Sequence, residues 1–234
     1  MKDKVCILTG ASGGIGSAIA NALFESGFKM VLLGRNEEKL KKVAKGRDCL
    51  ILPGDICNDD NINETIEKVY KIYGGIDILI NSAGIAQSAP FEEISMEEYD
   101  TIMNTNARAP FLMCQKALPY LMKSSCGTII NIASVTAHKG YALQSVYSAS
   151  KHALLGFSKS LAKEYYKKGV RVHVISPGAV FGDMVKVSRP DLTEEGMLLP
   201  SDIAETVLYL IRMRSSAAVI DEIELHRESK EPFM

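Results

Sequence analysis

Short apolar runs alternate along this chain with longer amphipathic stretches, and no linker separates them. Strands are expected at 5–8, 28–33, 50–52, 76–80, 128–133, 170–175 and 218–225; the first, Val5-Cys6-Ile7-Leu8, is wholly apolar, the signature of a strand buried on both faces of a sheet. Between them the apolar period changes to that of a helix. Ile15, Ile19, Ala22 and Leu23 predict a helix over 14–25, and Ile62, Ile66, Val69 and Ile72 another over 61–73. A short helix is expected over 37–44. The Ser95/Glu98 capping box opens a longer one reaching Lys123, in which Pro110 and Pro119 should mark bends or boundaries. Further helices are expected over 147–168, closed by Gly169, and over 201–212, capped by Ser201. Strand and helix in strict alternation predict a doubly wound, seven-stranded parallel sheet with helices on both faces.

Length and composition narrow the field. A chain of 234 residues can bury roughly 70 to 75% of its unfolded surface in one core, so 1–234 reads as a single domain. Its formal charge of -1 and the lack of a basic stripe argue against nucleic acid as a partner. The densest basic group, Lys39 to Arg47, follows Glu37 and Glu38 and reads as a solvated helix face. Five scattered cysteines without a C-x-x-C pair read as reduced, mostly packed thiols, and no apolar run is long enough for a membrane span or a signal segment. A cytoplasmic location, with no membrane partner, is the expectation. No pair of histidines has metal-ligand spacing, so no metal is expected.

In a sheet of this kind ligands sit outside the carboxyl ends of the strands, at the point where strand order reverses. The unusual residues of this sequence fall there. The first strand runs into Thr9-Gly10-Ala11-Ser12-Gly13-Gly14-Ile15-Gly16, a glycine-rich turn that opens a helix. Strand, tight turn and helix N-terminus in that order suit a diphosphate, because unpaired N–H groups and the positive end of the helix dipole face the anion. The other strands end in Gly34-Arg35, Asp55, Asn81-Ser82-Ala83-Gly84, Ser134 and Pro177-Gly178. Taken singly each is an ordinary turn or cap; along one edge they suggest a site.

The chemistry shows most clearly in Tyr147-Ser148-Ala149-Ser150-Lys151. Tyrosine and lysine four apart share a helix face. A free tyrosine has a pKa near 10, and a neighbouring ammonium favours its phenolate, lowering that value toward the range useful for proton transfer to a carbonyl oxygen. Ser134 can hold the same oxygen. His138 falls close after Ser134, where it either lines a pocket or faces solvent, and His152 reads as surface or interface. Phe111-Leu112-Met113-Cys114 reads as core or subunit contact.

Together these motifs resemble the short-chain dehydrogenase/reductase family over nearly the whole chain, and so imply a Rossmann-type fold. Thr9-Gly10, Gly14 and Gly16 match its cofactor motif, and Asn81-Ser82-Ala83-Gly84 its N-N-A-G segment with one change. Asn106, Ser134, Tyr147 and Lys151 match its tetrad, and Pro177-Gly178 the turn beneath the nicotinamide. The resemblance implies an NAD(P)-dependent oxidoreductase that interconverts a small-molecule carbonyl compound and its alcohol. Tyr147 would be the acid/base, Ser134 would orient the substrate, Lys151 would bind the nicotinamide ribose, and Asn106 would hold a relay water. The cofactor-binding set it implies is Gly10, Ser12, Gly14, Ile15, Gly16, Arg35, Asp55, Ile56, Asn81, Ala83, Gly84, Tyr147, Lys151, Pro177, Gly178 and Val180. Two departures stand out: Phe181-Gly182-Asp183 lacks the threonine that often follows the P-G turn, and the C-terminus lacks the glycine-rich ending of the ketoacyl-reductase type.

Cofactor choice turns on the end of the second strand. An acidic residue there would accept the adenine-ribose hydroxyls and repel a 2′-phosphate; the chain has Gly34 instead, followed by Arg35, whose fork of donors matches a phosphate. NADP(H) is therefore expected ahead of NAD(H), although Gly13 stands where many NADP-dependent relatives carry a second basic residue. A homodimer or homotetramer is expected from apolar residues on the helices around Phe111 and Phe157. The segment 182–200 is the expected substrate lid. Two other readings are a non-catalytic dinucleotide-binding regulator on the same fold, and an epimerase or dehydratase, for which the lid is short.

Overall fold

The computed structural model describes residues 2–188 and 195–228, with side chains through Lys186 and from Glu195. Seven strands form one parallel sheet: β1 (Val5–Thr9), β2 (Lys29–Gly34), β3 (Leu50–Pro53), β4 (Ile78–Asn81), β5 (Thr128–Ile132), β6 (Arg171–Pro177) and β7 (Glu222–Leu225), in the order β3-β2-β1-β4-β5-β6-β7. Among the described residues, eight α-helices connect or flank them: α1 (Gly14–Glu25), α2 (Glu37–Ala44), α3 (Asp59–Tyr73), α4 (Met96–Met103), α5 (Ala109–Leu121), α6 (Ser145–Tyr165), α7 (Asp183–Ser188) and α8 (Pro200–Arg212).

The side-chain period of two explains why these strands read as unbroken apolar runs. Cys6 and Leu8 of β1, Met30 and Leu32 of β2, and Ile78 and Ile80 of β4 face a core shared with α1 and α8. Their neighbours Val5, Ile7, Val31, Leu33 and Leu79 face a second core shared with α3 and α5. Both faces are covered, so the middle of the sheet is largely apolar, and the polar side chains buried in it, Asn81 of β4 and Asn131 of β5, are hydrogen-bonded. Strand order reverses between β1 and β4, and a crevice lies along the carboxyl ends of the strands there.

Several boundaries differ from the sequence reading. Asn58 caps α3 by accepting from the N–H groups of Asp60 and Asn61, so that helix starts at Asp59. The helix expected to reach Lys123 is two helices joined by a π-turn at Asn104–Arg108; Pro110 falls in the first turn of α5, while Pro119 lies inside its last turns without ending it. Ser201 is not a cap. Leu199 occupies that position, Pro200 opens α8, and the Asp202 carboxylate accepts from the Leu199 N–H. Residues 218–221 lie outside β7: the Arg171 guanidinium donates to the Met213 and Ser216 carbonyls just before them, the His173 ring donates to the Ile220 carbonyl, and the ladder begins only with the Val174 N–H donating to the Asp221 carbonyl. Of the expected lid, 189–194 lie outside the described residues, and α7 occupies its start.

Candidate active site

The crevice is a cavity of about 760 Å³ running along the carboxyl edge of the sheet. At its centre the loop after β1 rests on the loop after β4. The Thr9 hydroxyl accepts from the Ser82 and Ala83 N–H groups at 3.1 and 3.2 Å. Gly10 has φ +66°, and a Cβ there would lie 2.7 Å from the Ala83 Cα; a Cβ on Gly16 would collide with the Gly10 carbonyl oxygen. Both positions require glycine for α1 to start where it does. Asn36, Asn58 and Ser95 cap α2, α3 and α4 with their side chains, whereas Gly13 offers α1 none, and its first turn holds no acidic residue. The N–H groups of that turn point toward the cavity without a side-chain acceptor, an arrangement that fits a diphosphate.

Toward β2 and β3 the wall is polar. Gly34 faces the Ser12 hydroxyl, with 3.1 Å between that oxygen and the place a Cβ would take, and Arg35 is exposed on the rim. Asp55 accepts from the Cys57 N–H at 2.9 Å, which fixes the turn carrying Ile56 and Cys57 along the wall.

Toward β5 and β6 the cavity meets the tyrosine–lysine pair. Both lie on the first turns of α6, Tyr147 8% and Lys151 4% exposed, with the Lys151 ammonium 5.7 Å from the tyrosine ring centre. Lys151 Nζ donates to the Ile132 carbonyl at 2.9 Å, so the end of β5 holds it. Ser134, two residues further on, lines the cavity with Tyr147 and stands near enough to its hydroxyl to influence its ionisation. Burial lowers Lys151 to about 8. Burial also raises Tyr147 to about 12, only partly offset by Ser134. This corrects the expectation that the lysine brings the tyrosine down: desolvation sets the direction of the shift here, and the hydroxyl is held protonated.

Sixteen of the eighteen residues singled out from sequence line the cavity: Gly10, Ser12, Gly14, Ile15, Gly16, Arg35, Asp55, Ile56, Ala83, Gly84, Ser134, Tyr147, Lys151, Pro177, Gly178 and Val180. The other two asparagines lie behind its wall. Asn81 donates to Asn131 Oδ1 at 2.8 Å and Asn131 to the Ser158 hydroxyl, a buried polar chain that joins β4, β5 and α6. Asn106, in the π-turn, accepts from the Ile85 N–H and donates to the Ile85 carbonyl and the Ser150 hydroxyl at 2.9 to 3.0 Å. Both amide hydrogens of Asn106 are thereby engaged, and its oxygen lies 3.3 Å from where a Gly84 Cβ would stand. His138 does not line the cavity; it is exposed, as one of the two readings had it, and pairs with Glu222 of β7 at 2.7 Å.

Sequence reading overlooked Gln87. Its Oε1 accepts from the Val146 and Tyr147 N–H groups at 3.1 and 3.3 Å and it is 1% exposed, so a residue sixty positions upstream caps the helix that carries the tyrosine. The available signal was negative, since Gln144, before α6, makes no side-chain cap. The wall residues His226 and Arg227, just past β7, were also missed, because nothing local distinguishes them from a polar tail. Among the described residues no three or more His, Cys, Asp or Glu gather as a metal would require, and no helix is long and apolar enough to cross a membrane.

The sequence profile of the family described as short chain dehydrogenase matches residues 4–193. An uncharacterised oxidoreductase of Staphylococcus aureus strain USA300 is 39% identical over 214 residues, 90% of this chain and 92% of that one. An alcohol dehydrogenase from the archaeon Thermococcus sibiricus, solved with 5-hydroxy-NADP, superposes with a TM-score of 0.90 at 26% identity, covering 99% of each chain. A 3-ketoacyl-(acyl-carrier-protein) reductase of Brucella melitensis, solved with NADH, superposes with a TM-score of 0.89 at 26% identity, covering 96% of this chain and 97% of that one.

Proposed function

We propose that this chain, which belongs to the short-chain dehydrogenase family and is an oxidoreductase, works as an NADP(H)-dependent carbonyl reductase with Tyr147 as its acid/base. One observation carries the reading: a single cavity joins the uncapped N-terminus of α1 to the Ser134–Tyr147–Lys151 cluster. The cradle fits a dinucleotide, since glycines stand where a Cβ would meet backbone and the first turn of α1 has donors without side-chain acceptors. Gly10, Gly14, Ile15 and Gly16 would hold the diphosphate, Asp55 and Ile56 the adenosine half, and Ala83, Gly84, Lys151, Pro177, Gly178 and Val180 the nicotinamide half.

A bound nicotinamide supplies the hydride, and the protein supplies position and the proton. Ser134 orients the substrate carbonyl toward Tyr147 through its hydroxyl. Held protonated by burial, Tyr147 gives its proton to the carbonyl oxygen as negative charge develops there. The Lys151 ammonium, fixed by the Ile132 carbonyl, stabilises the phenolate that remains. Asn106 acts through position, clamping the loop after β4 to α6 by its bonds to Ile85 and Ser150. The preference for NADP(H) rests on Arg35 and Ser12 flanking Gly34, with no carboxylate at the end of β2 to repel a 2′-phosphate. Self-association through α5 and α6 is supported by Phe111, 51% exposed and edge-on to Phe157 at 5.5 Å.

Tyr147→Phe tests the assignment. The ring packing stays and only the hydroxyl goes, so NADPH binding should persist while kcat on a panel of ketones, aldehydes and quinones falls by roughly a hundredfold or more. Turnover near the wild-type rate would refute the mechanism, and no wild-type turnover on any carbonyl would favour the regulator reading.

A further inference from the structure

Beyond β6 the cavity wall continues into a part of the chain that the proposed reaction does not use. The Gly178 N–H donates to the Leu225 carbonyl at 2.7 Å, tying the turn after β6 to the end of β7. His226 and Arg227 follow directly and line the same cavity as Ser134 and Tyr147. Sheet order sets them on the opposite flank from Arg35: the end of β2 lies to one side of β1 and β4, the end of β7 to the other. If the adenosine half occupies the β2–β3 end, this second arginine stands at the substrate end.

Among the described residues the guanidinium there has no counter-charge. Arg227 is half-buried, and no carboxylate pairs with it among the described residues. The acidic side chains of β7 are engaged elsewhere. Glu222 accepts from the Ser176 hydroxyl and pairs with His138 and Lys159, and Glu224 turns toward His138. Asp183, the acidic residue on the neighbouring wall, is fully exposed and pairs with Lys186. The His226 ring donates from Nδ1 to the Arg227 carbonyl at 3.0 Å, which leaves Nε2 free to face a ligand. A half-buried cation without a counter-charge, opening into a cavity whose wall here includes Met184 and Val185, suits an acid on an apolar stem.

We infer that the substrate is an oxo acid, its carboxylate bound by Arg227 with His226 beside it while the carbonyl reaches Ser134 and Tyr147. This rests on the carbonyl-reductase reading and names its substrate class. The fork of the guanidinium favours a carboxylate held by two parallel hydrogen bonds.

Two measurements on the full-length protein test it. In the first, kcat/KM with NADPH is compared for a series of unbranched ω-oxo acids and their methyl esters. The wild type should prefer one or more acids over the matched ester, and Arg227→Ala should lower that preference by roughly tenfold or more, with Arg227→Lys between the two. In the second, hexanoate and hexanamide are titrated calorimetrically into protein saturated with NADP+. Hexanoate should bind more tightly, and Arg227→Ala should weaken it by roughly tenfold relative to the amide. Acids and esters handled alike by both proteins, or hexanoate binding indifferent to Arg227, would overturn the inference while leaving carbonyl reduction intact. Arg227-dependent hexanoate binding without turnover of any carbonyl would support the acid site and overturn the reductase reading instead.

Discussion

Lys151→Met should make the protein more stable at neutral pH while removing its activity. The substitution keeps the aliphatic stem and deletes an ammonium that is 4% exposed. Burial holds this lysine at about 8, against 10.5 for the ordinary side chain. Below pH 8 the folded protein carries the buried charge in full, at a cost of about 3 kcal/mol taken from the gap at about 1.4 kcal/mol per unit. Between pH 8 and 10.5 the unfolded chain binds the proton and the folded one does not, so wild-type stability rises with pH through that window. The variant lacks this dependence. It also loses the hydrogen bond to the Ile132 carbonyl, which returns about 1 to 3 kcal/mol of destabilisation. At pH 7 the balance is a variant equal to or up to about 2 kcal/mol more stable than wild type, a rise in Tm of up to about 8 °C for a chain of this size. Urea unfolding of both proteins from pH 7 to 10.5 measures it, and the difference between them should move against the variant by about 3 kcal/mol. A difference that stays constant with pH would refute the reasoning, because it would mean that Lys151 is not held down by burial.

Three further outcomes follow from the site. Gln87→Leu leaves the Val146 and Tyr147 N–H groups without their acceptor, which should cost about 2 to 4 kcal/mol of stability and lower kcat by roughly a hundredfold through displacement of Tyr147, with NADPH affinity little changed; Gln87→Glu, which keeps an acceptor, should recover most of the loss, and a Leu variant with wild-type kcat and Tm would exclude the capping role. Arg35→Ala should raise KM for NADPH roughly ten- to a hundredfold more than KM for NADH, and an equal loss with both cofactors, or a wild type that prefers NADH, would show that the end of β2 does not read the 2′-phosphate. Light scattering at micromolar concentration should report a dimer or tetramer, and Phe111→Glu should shift it toward monomer; a wild-type monomer would remove the interface on α5 and α6.

The sheet was legible because burial on both faces leaves runs rich in apolar residues, most clearly the Val5-Cys6-Ile7-Leu8 of β1. Tyr147 and Lys151 were legible too, since a spacing of four fixes their common helix face. What could not be read depends on contacts across the sheet. The stretch 218–221 is as apolar as a strand, yet Arg171 and His173 of β6 hold its neighbours and its carbonyl through their side chains. The π-turn at Asn104–Arg108 leaves no trace in hydrophobic period, because its reason is the placement of Asn106 against Ile85 and Ser150. The direction of the tyrosine shift was misread for the same cause: sequence names the charged neighbour but not the depth at which the pair is buried.

These long-range contacts form a connected set. Thr9 joins the loop after β1 to that after β4, Asn106 and Gln87 join the latter to α6, Lys151 joins α6 to the end of β5, and Gly178 joins the turn after β6 to β7. Each link is one to three hydrogen bonds between two elements, so neither end can relax alone. The cavity therefore runs from the glycine cradle to Arg227 with its walls in mutual register, and a change at one link is felt beyond its own contacts. This is why Asn81 and Asn106, which do not line the cavity, belong to the same motif as residues that do. Buried behind the wall, they hold β4, β5 and α6 at the spacing that brings Ser134 and Tyr147 together on the wall of the cavity.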